Sequence, residues 1–247
     1  MQGNAGAASN LLLAETVMAT SRTDTSAAPF VPEERSLPVL SKAVQQCRGC
    51  DLYRNATQAV FGELETGEQA RKPVVTIMMI GEQPGDREDQ EGRPFVGPAG
   101  KLLDKCLEEA GINRSRVYVT NSVKHFKWEP RGKLRIHKKP TAKEIRACRP
   151  WLDAELETLH PKLVVCLGAT AAQGLLGSSF KITQQHGKLQ LVPGLPPIIA
   201  TLHPSAILRA PTEEDRHRQR ATLVEDLRTI AVMAHGGARS KRSSMQE

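Results

Sequence analysis

The chain has 247 residues and a mass of 27.0 kDa, enough for one sizeable core and short for two. Its 39% hydrophobic and 25% charged residues are ordinary for a soluble globular protein, and no apolar run approaches the ~18 residues of a membrane span. A formal net charge of +7 admits a polyanionic partner without requiring one.

Residues 1–36 are rich in Ala, Ser, Thr and Gly and lack sustained periodicity, which predicts a disordered extension. Its apolar LLLAETVMA has no basic lead-in and contains Glu15, unlike a secretory signal, so a cytoplasmic location is expected. Residues 236–247, GGARSKRSSMQE, read as a disordered basic tail. The domain is therefore expected over 37–235. Near its start, Cys47-Arg48-Gly49-Cys50 forms a CxxC, a pattern shared by zinc sites, iron-sulfur clusters and redox pairs.

Val74 to Ile80, VVTIMMI, has the length and β-branched content of a buried parallel strand. It feeds GEQPGDREDQEGRPFVGPAG, Gly81 to Gly100, a loop of Gly, Pro and acidic residues placed where α/β proteins bind ligands. An amphipathic helix is expected over Ala99 to Ala110, stopped by Gly111. Val117 to Asn121 reads as a strand, and Thr141-Ala142-Lys143-Glu144 as a capping box opening a helix to about Leu159, ended by Pro161. Leu163 to Leu167 is a third strand followed by a short helix over Ala169 to Leu176. Pro197 to Leu202 is a fourth, ending at His203-Pro204-Ser205. A last helix runs from Thr212 to about Met233. This alternation predicts an α/β fold, a three-layer α/β/α sandwich around a central four-stranded parallel sheet.

If the strands are parallel, Glu82, Asn121 and His203 converge on one rim and define a site. The glycine-rich loop is not a nucleotide cradle: both the Walker and the dinucleotide patterns need Gly where Phe95 stands. From Lys124 to Arg149 there are ten Lys or Arg and two acidic residues, so the excess charge is one patch, the footprint of nucleic acid or simply a solvated face. Cys148 on the capped helix and His125 after the second strand complete a possible four-ligand set with the CxxC. Cys106 and Cys166 fall in apolar patterns and read as inert core.

The segments GEQPGDREDQEGRPFVGPAGKLLD, VTNSVKHF, ACRPWL, VVCLGATAA and TLHPSAILR together resemble the family-4 type uracil-DNA glycosylases, and most closely their UdgX branch. The likeness covers nearly all of the core. GKLRIHKKP, residues 132–140, resembles the basic loop ending in a histidine that marks this branch, with Leu134 where a second cation is common. The resemblance implies a 4Fe-4S cluster held by Cys47, Cys50, Cys148 and, in place of a fourth cysteine, His125. Structural zinc on the same residues is the alternative. It implies uracil excision from DNA, single strands preferred, by a monomer. Phe95 would stack the flipped base, while Asn121, Gln83 and Asp86 contact uracil. His203 would stabilise the departing base, and Lys133, Arg135, Ser205 and Arg209 would meet the DNA backbone. Glu82 is the expected acid-base group and His137 the nucleophile that leaves the protein attached to deoxyribose. An ordinary turning-over glycosylase and a non-catalytic iron-sulfur DNA-binding module are the alternatives.

Overall fold

A computed structural model describes residues 25–65 and 75–236. In chain order the elements are α1 (Leu37–Val44), β1 (Glu63–Leu64), β2 (Ile77–Gly81), α2 (Asp86–Glu91), α3 (Pro98–Glu109) and β3 (Val117–Asn121). The chain continues through β4 (Trp128–Arg131), β5 (Leu134–His137), α4 (Ala142–Leu159), β6 (Leu163–Leu167) and α5 (Ala169–Leu176). Then follow α6 (Ile182–Gln185), β7 (Leu189–Gln190), β8 (Ile198–Thr201), α7 (Pro204–Leu208) and α8 (Glu213–Gly236).

The main sheet has the order β1-β3-β2-β6-β8-β7. Its four central strands are parallel, as their apolar runs predict, while β1 and β7 pair antiparallel at the edges. The sheet therefore has six strands rather than four. Each added strand is two residues long, too short to leave a periodic signature. Alternate residues of every central strand face opposite layers. Met79, Val119, Val165 and Ile199 pack with Leu103 and Leu107 of α3 and Leu223 and Leu227 of α8. Met78, Tyr118, Val164 and Ile198 face Leu152 and Leu156 of α4 and Ala171 and Ala172 of α5. No described helix is long and apolar enough to cross a membrane.

Two stretches differ from expectation. Within the segment read as one loop, Asp86–Glu91 forms α2, capped when Gly85 N–H donates to Glu88 Oε2 at 3.1 Å. Residues 25–36, assigned to the disordered extension, pack on the domain: Ala27 is buried and its N–H donates to the Ala147 carbonyl at 2.7 Å. The rest of that extension and residues 237–247 lie outside the described residues.

Beneath the β3 end, Lys124 and Glu155 are both fully buried, with Nζ 2.6 Å from Oε2. Glu155 Oε1 also accepts from Tyr118 Oη and Thr120 Oγ1, each at 2.9 Å, and from Gly62 N–H at 3.2 Å. Lys124→Ala strands this carboxylate without its cation and is expected to cost about 3–5 kcal/mol in denaturant unfolding. Lys124→Met/Glu155→Leu is expected to regain part of that, because the double change removes both charges but orphans the Tyr118 hydroxyl.

Candidate active site

Strand β2 ends at Gly81 and β3 ends at Asn121, paired in register, so the residues that follow both strands emerge on the same rim. β6 leads through Gly168 into α5, and β8 leads into His203 and α7. A cavity of about 350 Å³ opens there, its wall including Gln83, Asp86, Phe95, Asn121, His137 and His203. That volume suits a small planar ligand.

Phe95 has φ 57°, a backbone setting that L-residues adopt at a cost and that recurs at ligand sites. The turn is possible because Gly100 lies against the Phe95 carbonyl, where any Cβ would collide. The Phe95 ring stacks toward His203, centroids 6.1 Å apart and 28° between planes. Gly81 is equally constrained, since a Cβ there would strike Asn121 Oδ1 and the Phe95 ring. Asn121 itself is 3% exposed, and among the described residues no hydrogen bond engages its side-chain amide, which leaves donor and acceptor for a ligand.

His203 is held by its own helix end. Ser205 N–H donates to Nδ1 at 3.1 Å, and Ser205 Oγ lies 2.8 Å from the same nitrogen. An Nδ1 that accepts a backbone N–H carries no proton, so the neutral ring is protonated on Nε2. Burial first, then Arg209 and His137, pull its pKa down to about 4. His203 is thus a neutral donor.

Glu82 is not in the cavity wall but meets His137, which is. Its Oε2 accepts from Thr170 Oγ1 at 2.5 Å, and its Oε1 is 3.4 Å from His137 Nε2. His137 sits 6.1 Å from the Phe126 ring, centroid to centroid. Burial lowers its pKa from 6.5, opposed by Glu82 and supported by Arg209.

The segment expected as a basic loop is a β-hairpin. Trp128 pairs with His137 and Arg131 with Leu134, with Gly132 at φ 60° in the turn. Alternation sends Arg135 and His137 to one face, and Leu134 and Ile136 outward, 65% and 37% exposed. Arg135, expected on the DNA backbone, is turned inward instead. Its Nε lies 2.5 Å from Asp86 Oδ1 and its Nη1 2.6 Å from the buried Asp89. Its guanidinium stacks over Phe126 and Trp128, each at 5.5 Å.

The side chains of two expected uracil contacts, Gln83 and Asp86, are likewise held by protein partners while both residues stay in the cavity wall. Asp86 lines the cavity, but its carboxylate is taken by Arg135 and by Gln90 Nε2 at 2.9 Å. Gln83 donates to the Lys127 and Lys138 carbonyls at 3.1 and 3.0 Å and accepts from Lys127 N–H at 3.1 Å, so its side chain clamps the hairpin base. Ser205 and Arg209, expected on the DNA backbone, line the same cavity as Phe95 and Asn121, whereas Lys133 stands exposed in the hairpin turn. Thr170, Lys124, Gly81 and Gly100 were missed by sequence reasoning. Only Thr170 had a signal, its place just beyond a strand's carboxyl end.

Cys47, Cys148 and partly buried Cys50 share one apolar cluster with Trp151 and Leu40. Trp151 Nε1 donates to Cys47 Sγ at 3.2 Å, and Lys124 N–H to Cys148 Sγ at 3.3 Å. Burial pushes the Cys148 thiol up to about 12, against the pull of Lys124, with Cys50 and Cys47 adding to the rise. His125 is buried and held neutral, its pKa lowered to about 4 by burial and then Arg48. Among the described residues no three His, Cys, Asp or Glu side chains close on a single metal ion. Cys47 and Cys148 thus each accept one N–H bond within the same apolar layer, a donor setting that fits thiolate ligation.

The fold and this rim place the chain in a known class. It belongs to the uracil DNA glycosylase superfamily, whose description matches residues 70–228. It is 38% identical to the type-4 uracil-DNA glycosylase of Thermotoga maritima over 186 residues, 74% of this chain and 88% of that protein. The type-4 enzyme of Archaeoglobus fulgidus is 36% identical over 183 residues, 71% of this chain and 85% of the relative. A type-5 uracil-DNA glycosylase of Thermus thermophilus is 31% identical over 153 residues, 54% of this chain and 66% of that protein.

Arg135→Ala is expected to release the hairpin. Amide exchange over residues 128–138 should accelerate at least about tenfold, while the central strands keep their protection. Unchanged exchange would mean that the Gln83 clamp alone holds the hairpin.

Proposed function

We propose that the protein excises uracil from DNA and that His137 then holds the deoxyribose covalently, as in the UdgX branch that GKLRIHKKP resembles. The observation that carries this reading is the 3.4 Å approach of His137 Nε2 to Glu82 Oε1, with His137 in the wall of the cavity that also presents Phe95, Asn121 and His203. Phe95 stacks the flipped base, and the free Asn121 amide reads its edge. The Nε2–H of His203 donates to a uracil carbonyl as negative charge grows there. A His137 nitrogen forms a bond to C1′ as the glycosidic bond breaks and its electron pair departs with uracil. The alkylated ring sheds its N–H proton to Glu82, which Thr170 holds in place.

Arg209 and Lys133 meet phosphates by their exposure and charge. Preference for single strands follows from the unstacking cost, which is least for an unpaired base. Cys47, Cys50, Cys148 and His125 would hold a 4Fe-4S cluster that joins the N-terminal segment to the hairpin side of the fold. When bound it supplies a structural cross-link. Purified protein should be brown with broad visible absorption, and Cys148→Ser should lose the colour and the bound iron. A colourless protein with stoichiometric zinc would refute the cluster.

A second reading is ordinary turnover. His137 is 47% exposed and Glu82 21%, which leaves access for water beside the carboxylate. Incubation with uracil-containing single-stranded DNA followed by a denaturing gel separates the readings. The expected result is a heat-stable protein–DNA band that His137→Ala abolishes. Alkali-labile sites without a band would mean turnover, and neither product would leave a binding module.

Both imidazoles are neutral at neutral pH, their pKa values held below 6.5. The trapping rate is therefore expected to be flat from about pH 7 to 8 and to fall on acidification as His137 gains a proton and loses its lone pair. A rate that climbs below pH 6.5 would contradict nucleophilic His137.

A further inference from the structure

Five of the ten cations between Lys124 and Arg149 are neutralised within the fold. Lys124 pairs with Glu155, Lys127 with Glu144, Arg135 with Asp86 and Asp89, Lys138 with Glu129, and Arg149 with Asp153. Among the described residues the unpaired ones are Arg131 and Lys133 at the hairpin tip, and Lys139, Lys143 and Arg146. Two of these, Lys139 and Arg146, line a second cavity of about 440 Å³ together with Pro140, Arg149, Thr170 and Gln173.

Three properties set this cavity apart. Its wall contains no Asp or Glu, whereas the base cavity includes Asp86 and Glu88 and a third cavity on the α8 side mixes Glu109, Glu225 and Asp226 with its arginines. Arg149 is already oriented by Asp153 at 2.5 Å and the Gly174 carbonyl at 3.1 Å, which leaves Lys139 and Arg146 as exposed, uncommitted cations. The cavity also backs directly onto the active carboxylate, because Thr170 in its wall donates to Glu82. His137 in the base cavity and Lys139 in this one are two residues apart, so their Cα atoms are separated by no more than about 7 Å. That is the reach of a single nucleotide.

We propose that this cavity binds a phosphodiester group of the DNA strand adjoining the flipped uridine, so that the strand crosses the base of the hairpin between the two cavities. The proposal rests on the reading of the protein as a uracil-excising one and adds the path of the strand. Lys139 and Arg146 supply the charge. Thr170 links occupancy of the phosphate site to the carboxylate that serves the chemistry.

A single neutral methylphosphonate linkage, moved stepwise along a uracil-containing single strand, tests it. With the unaltered protein, one position next to the uracil is expected to raise the half-saturating concentration for single-turnover uracil release several-fold. Lys139→Gln/Arg146→Gln is expected to start from that raised value and to be insensitive to the same linkage. Both side chains are exposed, so the fold is not at stake. If the double variant responds to every linkage as the unaltered protein does, the phosphate site is wrong. In parallel, equilibrium binding to the same strand with thymine in place of uracil reports the charge interactions without chemistry. There the log–log salt slope of the double variant should become shallower by about 0.7 for each phosphate that it no longer neutralises. A changed slope with no uracil release by any form would keep the phosphate site and reject the excision reading. An unchanged slope would overturn the site itself.

Discussion

A lysine and a glutamate without solvent exposure, Lys124 and Glu155, hold the active rim to the rest of the fold. Charges so placed are tolerable only when every donor and acceptor is met. Here they are. Lys124 Nζ reaches Thr120 Oγ1 at 2.6 Å and the Asn121 carbonyl at 2.9 Å, while Glu155 gathers Tyr118, Thr120 and the Gly62 amide. The pair therefore fixes the end of β3, where Asn121 projects into the base cavity. It also fixes the turn after it, where the Lys124 N–H meets Cys148 Sγ. Asn121 and Cys148 thus share one buried anchor, which makes the geometry of each dependent on the other.

The hairpin is anchored differently, by side chains that composition would assign to DNA. Gln83 grips its base through three hydrogen bonds, and Arg135 pins its middle to Asp86 and Asp89. Asp89 in turn accepts from Thr57 N–H, and Trp128 Nε1 donates to the Asn55 carbonyl at 2.8 Å. A two-stranded hairpin is marginal by itself. These contacts convert it into a rigid arm that sets His137 against Glu82. A histidine on a mobile loop would reach the same carboxylate only part of the time, at an entropic cost to each encounter.

What the sequence made legible follows from signal length. The four central strands are apolar runs with a strict layer alternation, and α4 carries a full capping box at Thr141 and Glu144, so β3, β6 and α4 could be read almost to the residue, while β2 begins at Ile77, three residues after the start of its apolar run. The edges β1 and β7 are set by pairing to neighbours and carry no pattern of their own. The hairpin was hidden because WEPR and LRIH contain a proline and two outward apolar residues, which imitate a loop. Convergence of Glu82, Asn121 and His203 followed from topology alone. The diversion of Arg135 and Gln83 did not, because a basic or amide side chain looks the same in sequence whether it faces a phosphate or a partner 46 or 55 residues away. Lys124 is the extreme case, a fully buried lysine inside a basic run.

The charge state of the rim decides which chemistry it favours. Glu82 has one oxygen toward Thr170 and the other toward His137. His203 is neutral because burial and Arg209 oppose its protonation, and its Ser205 contacts direct the remaining N–H outward from Nδ1. A protonated His203 would stabilise the departing base more strongly, but it would lose the Ser205 N–H bond that aims it. It would also place a second cation near His137, whose pKa burial and Arg209 already lower. The neutral ring of His203 therefore keeps the Ser205 bond that orients it and adds no further cation beside His137.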